Sequence, residues 1–160
     1  MPKTAPFDAY HERYEDWFEI NQAAYISEML ALRPFIPLAG ESIEIGVGSG
    51  RFAAPLGIST GIDPSSSMLS YAIARGIKGV MATAEDLPFF DGSFDTALVV
   101  TTICFVDSPD KMLVEIHRVL KPGGRVVIGF VDRESTIGQS YLTHQAESDF
   151  YRDAIFYSTD

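Results

Sequence analysis

The run Ser42-Ile-Glu-Ile-Gly-Val-Gly-Ser-Gly-Arg51 constrains this chain more than any other stretch. It reads as a short buried strand that ends in glycines at alternate positions, Gly46, Gly48 and Gly50, with an acid, Glu44, two residues before the first. Glycine lets a backbone turn tightly and lets a ligand come close to main-chain N–H groups. A carboxylate at that place repels a phosphate and attracts a cation, so the segment suits a sulfonium nucleoside better than a dinucleotide. The spacing agrees. The dinucleotide fingerprint G-x-G-x-x-G needs a third glycine where this chain has Arg51, and the phosphate motif G-x-x-x-x-G-K-[ST] is absent. A glycine-rich turn in a doubly wound protein that binds no nucleotide is the plain alternative.

With 160 residues, 46% of them apolar, the chain suits one domain with a full core. Its formal net charge of −10 argues against nucleic acid and anionic membrane surfaces as partners, because phosphates demand clustered Lys and Arg. The single cysteine, Cys104, sits among hydrophobic neighbours and reads as a buried thiol in a reducing, cytoplasmic setting. No run approaches eighteen apolar residues and no signal-peptide pattern opens the chain, so neither a membrane span nor export is expected. No metal site is expected.

Apolar spacing predicts a helical region over residues 8–33, ended by Arg33-Pro34 and Pro37. Strands and helices then alternate. Strands are expected at Ser42–Val47, Thr60–Asp63, Gly79–Ala82, Ser93–Thr102 and Arg125–Val131. Between them come a short helix at Arg51–Leu56, a helix over Ser65–Arg75 opened by Pro64, and a helix over Asp110–Leu120 with Met112, Leu113, Ile116, Val119 and Leu120 on one side. Lys121-Pro-Gly-Gly124 reads as a tight turn. Beyond Asp132, a helix over Gln139–Ala154 and a strand or ordered loop at Ala154–Ser158 are expected. Near-continuous apolar strands alternating with helices imply a doubly wound, Rossmann-like α/β sandwich: a mainly parallel sheet of order 3-2-1-4-5 covered on both faces. Right-handed crossovers place the strand C-termini along one edge, where ligands bind.

The chemistry-bearing residues fall at those ends. The glycine loop follows strand one, and Asp63 ends strand two. Thr83-Ala-Glu-Asp-Leu-Pro88 follows strand three, and Thr101-Thr102 ends strand four. A carboxylate at Asp63 has two acceptor oxygens for the paired hydroxyls of a ribose; the plainer role is a helix cap before Ser65.

These motifs, in this order, resemble those of the class I S-adenosylmethionine-dependent methyltransferases, in the large subgroup typified by small-molecule methylases such as those of ubiquinone biosynthesis. Glu44-Ile-Gly-Val-Gly-Ser-Gly50 is similar to the family's [ED]-x-G-x-G-x-G. Gly61-Ile-Asp-Pro-Ser65 resembles its second motif. Ala84-Glu-Asp-Leu-Pro-Phe89 with Asp91-Gly-Ser-Phe-Asp95 resembles its A-E-x-L-P-F…D-x-S-F-D run, and Arg118-Val-Leu-Lys-Pro-Gly-Gly124 its R-x-L-K-P-G-G turn. The resemblance implies a cofactor, S-adenosyl-L-methionine, and a small-molecule methyl acceptor. It implies main-chain groups of Gly46, Val47 and Gly48 around the methionine part, Glu44 near the ammonium and Asp63 on the ribose. Pro64 and Met68 would pack on the adenine, Ala84 and Glu85 would lie at its edge, and Thr101 would form the floor. Thr83 stands where the family often has an acid facing the adenine amino group.

The resemblance also implies that the sheet continues past strand five, so the expectation is a fold without its usual C-terminal strands and with self-association through the strand-five edge. Residues 1–40 are expected to form a helical lid over a binding core at 41–160, with Tyr10, Tyr14 and Trp17 offering aromatic faces to a methyl sulfonium. No catalytic residue stands out: His11, Asp107 and His144 are the candidate bases, and surface or capping roles suit each. A non-catalytic binding module is the competing reading; a nicotinamide-dependent oxidoreductase is disfavoured by Glu44 and Arg51.

Overall fold

The computed structural model describes residues 3–160. Short runs of Val, Ile, Leu and Ala build five strands: β1 (Ser42–Ile45), β2 (Thr60–Asp63), β3 (Lys78–Met81), β4 (Phe94–Val100) and β5 (Leu120–Gly129). They form one sheet in the order β3-β2-β1-β4-β5, every neighbouring pair parallel. Successive strand residues face opposite ways. In β4, Leu98 and Val100 join one core cluster with Phe18, Phe52 and Leu69, while Ala97 and Val99 join another with Ile43, Met112 and Ile116. Both faces of the central strands β1, β2 and β4 are therefore buried, which explains why these strands are apolar without alternation.

Among the described residues seven α-helices flank the sheet: α1 (Ala5–Ala9), α2 (His11–Ile20), α3 (Gln22–Leu32), α4 (Ala53–Leu56), α5 (Ser66–Ala74), α6 (Pro109–Val119) and α7 (Thr136–Thr143). Ser65, Ser108 and Ser135 cap α5, α6 and α7, each side chain accepting an N–H from the residue three positions on. Among the described residues no helix is long and apolar enough to cross a membrane.

Several boundaries differ from the sequence expectation. The region 8–33 is three helices rather than one. The backbone leaves helical geometry at Tyr10 and at Asn21, and the Asn21 side chain donates to the Trp17 carbonyl at 2.9 Å, closing α2 from its C-terminal end. Pro64 does not open α5, because Ser65 takes the cap. On α6 the buried face is Met112, Ile116 and Val119, whereas Leu113 is exposed. The Lys121–Gly124 turn lies inside β5 as an irregularity: the pairing jumps from Phe94–Leu120 to Thr96–Arg125, with Gly123 at φ 81°. The outer edge of β5 thus carries a bulge, Lys121 and Pro122, features that blunt strand addition. The C-terminal helix spans Thr136–Thr143 rather than Gln139–Ala154, because Ser135 supplies a cap that the periodicity did not reveal. Residues 154–158 form an ordered loop. It buries Ala154 and Phe156 against Cys104, Tyr141 and Tyr151.

Close packing joins β2 to the loop that follows β1. A Cβ on Gly61 would fall 2.6 Å from Val47 Cβ. Overpacking of this kind costs about 1–3 kcal/mol. Gly61→Ala is expected to lower the unfolding free energy by that amount in urea titrations; an unchanged midpoint would mean that strand and loop part without strain.

Candidate active site

The site forms where the C-terminal ends of β1, β2 and β4 meet the N-terminal helices. β1 runs into the glycine loop, whose Gly46 and Gly48 sit in left-handed geometry at φ 70° and 52°. Gly46 tolerates no side chain, because the Thr102 side chain occupies the space a Cβ would need. Gly48 leaves an open place bounded by Met68 and the Tyr14 hydroxyl, 3.6 and 3.7 Å from where its Cβ would be.

Asp63, at the end of β2, ties the loop down. Its Oδ2 accepts the Gly48 N–H at 2.9 Å and its Oδ1 accepts the Ser65 N–H at 2.8 Å. Burial, aided by the nearby Asp8 charge, lifts its pKa to about 6 against these two stabilising bonds. Asp8 itself accepts a hydrogen bond from Ser65 Oγ, which joins α1 to the head of α5.

A cavity of about 90 Å³ opens at this junction. The structure brings to it most of the residues expected from the sequence: Gly46, Gly48, Asp63, Pro64, Met68, Thr83, Ala84, Thr101 and Tyr14. Four do not line it. Val47 points into the core against Gly61. Glu85 Oε1 accepts the N–H groups of Asp107 and Ser108 at 2.8 and 3.1 Å and so braces the start of α6. Glu44 lies beneath the loop, 1% exposed. Burial raises its carboxyl well above the usual range even though the Ala53 N–H bonds it, and its Oε2 has no partner among the described residues. Trp17 lines a second cavity instead.

That second cavity measures about 340 Å³ and adjoins the first. The two share Phe7, Tyr14, Thr101 and Tyr151. Sequence reading missed Phe7, Phe105 and Tyr151, which carry no motif; only Phe105, just past the end of β4, had a topological signal. It also missed Glu28, which lines the second cavity from α3. None of His11, Asp107 or His144 lines either cavity. His11 Nδ1 meets the Tyr71 hydroxyl at 3.0 Å, and His144 Nδ1 meets the Ser140 carbonyl at 2.9 Å. Cys104 donates its thiol hydrogen to the Thr101 carbonyl, and burial raises it to about 12, so it is a structural thiol.

A half-buried carboxylate at the end of β2, a glycine loop open to one side and an apolar slot at Met68 and Ala84 fit a nucleoside whose charge is not a phosphate. Comparison with known proteins agrees. The family described as "Methyltransferase domain" matches residues 43–128. An uncharacterized protein of Methanocaldococcus jannaschii is 47% identical over 152 residues, covering 95% of this chain and 74% of that protein. A ubiquinone/menaquinone biosynthesis C-methyltransferase of Desulfotalea psychrophila is 33% identical over 137 residues, covering 76% of this chain and 54% of that enzyme. The crystal structure of a SAM-dependent methyltransferase of Thermotoga maritima, described as a possible histamine N-methyltransferase, superposes with a TM-score of 0.95. It is 47% identical, and the match covers 98% of this chain and 75% of that one. The chain belongs to the class I S-adenosylmethionine-dependent methyltransferases, and the family's cofactor is S-adenosyl-L-methionine. It spans about three quarters of the Methanocaldococcus relative and about half of the Desulfotalea enzyme.

The raised Asp63 carboxyl has a consequence for stability. Its ordinary pKa is near 3.9, so between about pH 4 and 6 the folded state holds a proton that the unfolded chain has released. Stability from this group is full below pH 4 and is lost as pH rises through 6. The unfolding free energy of the wild type relative to Asp63→Asn is expected to decline across that window in denaturant titrations. Parallel profiles would show that Asp63 ionises normally.

Proposed function

We propose that the chain transfers a methyl group from S-adenosylmethionine, bound at the glycine loop, to a small-molecule acceptor held in the second cavity. The observation that carries this reading is the shared wall of the two cavities, formed by Phe7, Tyr14, Thr101 and Tyr151. Asp63 would take the ribose, Pro64, Met68 and Ala84 the adenine, Thr83 its polar edge, and main-chain groups at Gly46 and Gly48 the methionine part. Bound there, S-adenosylmethionine supplies a methyl group on a cationic sulfur, an excellent leaving group. The chain's own task is then to position the acceptor and exclude water. Tyr14 supports this role: its hydroxyl is held protonated by burial and by the charges of Glu44 and Asp63. The second cavity lies within the size range of small-molecule sites, about 300–1,000 Å³. The Thermotoga neighbour's description also names an acceptor of that size class.

Calorimetry with S-adenosylhomocysteine, with NAD as control, tests the first half of the reading. The nucleoside is expected to bind and NAD not to. Asp63→Ala should weaken binding by about 1.5–3 kcal/mol, tenfold or more. An unchanged dissociation constant would leave Asp63 as a brace for the loop alone. Binding without turnover on any acceptor would instead favour a non-catalytic module.

The first cavity is smaller than a nucleoside needs, because Phe7 and Tyr14 of the N-terminal helices reach into it. We infer that residues 1–40 act as a lid that moves to admit the cofactor. Amide hydrogen exchange within 8–33 is expected to slow when S-adenosylhomocysteine is added. Equal protection in both states would make this region fixed core.

A further inference from the structure

Among the described residues that line the first cavity, only Lys3 and Asp63 are charged. Asp63 is accounted for, because its two oxygens accept the N–H groups of Gly48 and Ser65. Lys3 is not. It is half-buried at the cavity wall, and it has no ion pair to any described residue. The other cation at the two cavities is Arg13, which lines the second and lies 2.8 Å from Asp149.

The sheet order shows which end of the site Lys3 serves. The strand ends follow one another along the cavity as β3, β2, β1 and β4, and the chain there brings to it Thr83, Asp63, Gly46 and Thr101 in turn. Lys3 stands on the β4 side. Phe7, on the same segment and the same cavity, meets the Phe105 ring edge-on at 5.1 Å, and the Lys3 charge reaches the Cys104 thiol. In the reading proposed above, adenine and ribose take the β3 and β2 side, which leaves the β1 and β4 side to the amino-acid end of the cofactor. That end carries a carboxylate, and burying a carboxylate without a partner is costly.

We propose that Lys3 supplies the ammonium that pairs with the cofactor's carboxylate, and that this pair makes the site select nucleosides bearing an amino acid over those that share only the adenosine and the sulfur. Lysine suits the task, for three N–H donors at the tip of a flexible stem can follow a carboxylate as the N-terminal segment moves. Selection is a difference of affinities. A ligand without the carboxylate gains nothing from Lys3, whereas one that carries it gains a charge-assisted hydrogen bond away from bulk water. Lys3 touches none of the bonds that form or break, so its part is binding and specificity.

The inference rests on the methyltransferase reading, and calorimetry separates the two. S-adenosylhomocysteine is titrated into the wild type first, and its failure to bind would overturn the methyltransferase reading and the inference with it. The wild type is then titrated with decarboxylated S-adenosylhomocysteine, which keeps the adenosine, the thioether and the amine, and with methylthioadenosine, which lacks the amine as well. S-adenosylhomocysteine is expected to bind about tenfold more tightly than either, or better. Lys3→Met should weaken S-adenosylhomocysteine about tenfold and leave both carboxylate-free ligands within about twofold of the wild type. Lys3→Arg, which keeps the charge, should recover most of that loss. Equal wild-type affinity for S-adenosylhomocysteine and its decarboxylated form, or an unchanged S-adenosylhomocysteine affinity in Lys3→Met, would overturn the proposal while leaving the methyltransferase reading in place. Equal weakening of all three ligands in Lys3→Met would overturn it too, by making Lys3 a brace for the N-terminal segment.

Discussion

The hydrogen bond from the Gly48 N–H to Asp63 Oδ2 is the tie on which the site depends. The loop that follows β1 has no regular structure to fix it. Its glycines give it freedom, and freedom alone would leave it mobile. The carboxylate at the end of the neighbouring strand removes that freedom at one atom, and its other oxygen orients the head of α5 through Ser65. One side chain therefore sets the spacing between a loop and a helix that line the same cavity. The cost is a half-buried charge, visible in the raised pKa. That cost is tolerable because two backbone donors, rather than solvent, complete the carboxylate's coordination.

Arg51 explains why the third glycine of a dinucleotide site is absent. Its guanidinium bonds Glu15 at 3.0 Å and Glu19 at 2.8 Å, both on α2, and lies 5.3 Å over the Phe18 ring. Arg75 from the end of α5 joins Glu15 as well and donates to the Ser49 carbonyl at 2.8 Å. Burial works to raise the Glu15 carboxyl, and its hydrogen-bonding partners outweigh it, holding it below its ordinary value. In the dinucleotide fingerprint the third glycine lets the helix pack closely on the strand. An arginine there fastens the N-terminal helices to the glycine loop instead. The residue that argued against NAD from the sequence is thus also the anchor of the N-terminal helices beside the glycine loop.

The sheet was legible because its physics is local and repeated. Apolar runs bounded by Gly, Pro and Asp located all five strands, and the alternation with helices implied the order that β1 to β5 adopt. The strand-end residues followed from topology, which is why Asp63, Thr83 and Thr101 were expected where the first cavity opens. What was missed depends on single side chains or on contacts distant in sequence. The break at Asn21 rests on one amide bonding back to Trp17. The start of α7 rests on the hydroxyl of Ser135. The irregularity in β5 preserves pairing on both sides of a sequence that reads as a turn. Phe7, Glu28 and Tyr151 reach the cavities from segments far apart in the chain, and no spacing rule joins them. Glu44 and Glu85 lie off the wall of the first cavity because both carboxylates bond backbone N–H groups, at Ala53 and at Asp107 and Ser108.

Thr101 shows how the poorly legible tail contributes to the legible site. It is the one non-glycine with positive φ among the described residues, at 48°, and it lines both cavities. Such a conformation costs of order 1–3 kcal/mol and persists only where neighbours over-determine it. Here they do. The Thr101 N–H donates to the Gly129 carbonyl of β5 at 2.7 Å, and its carbonyl accepts the Cys104 thiol at 3.2 Å. Cys104 is held in turn by the tail, whose Ile155 N–H bonds the Cys104 carbonyl at 2.9 Å. Phe156 packs beside Tyr141 and Tyr151, burying the same corner. The aromatic residues after α7 thus do two things at once. Tyr151 forms wall common to both cavities, and the loop behind it clamps the strained backbone where one cavity gives way to the other.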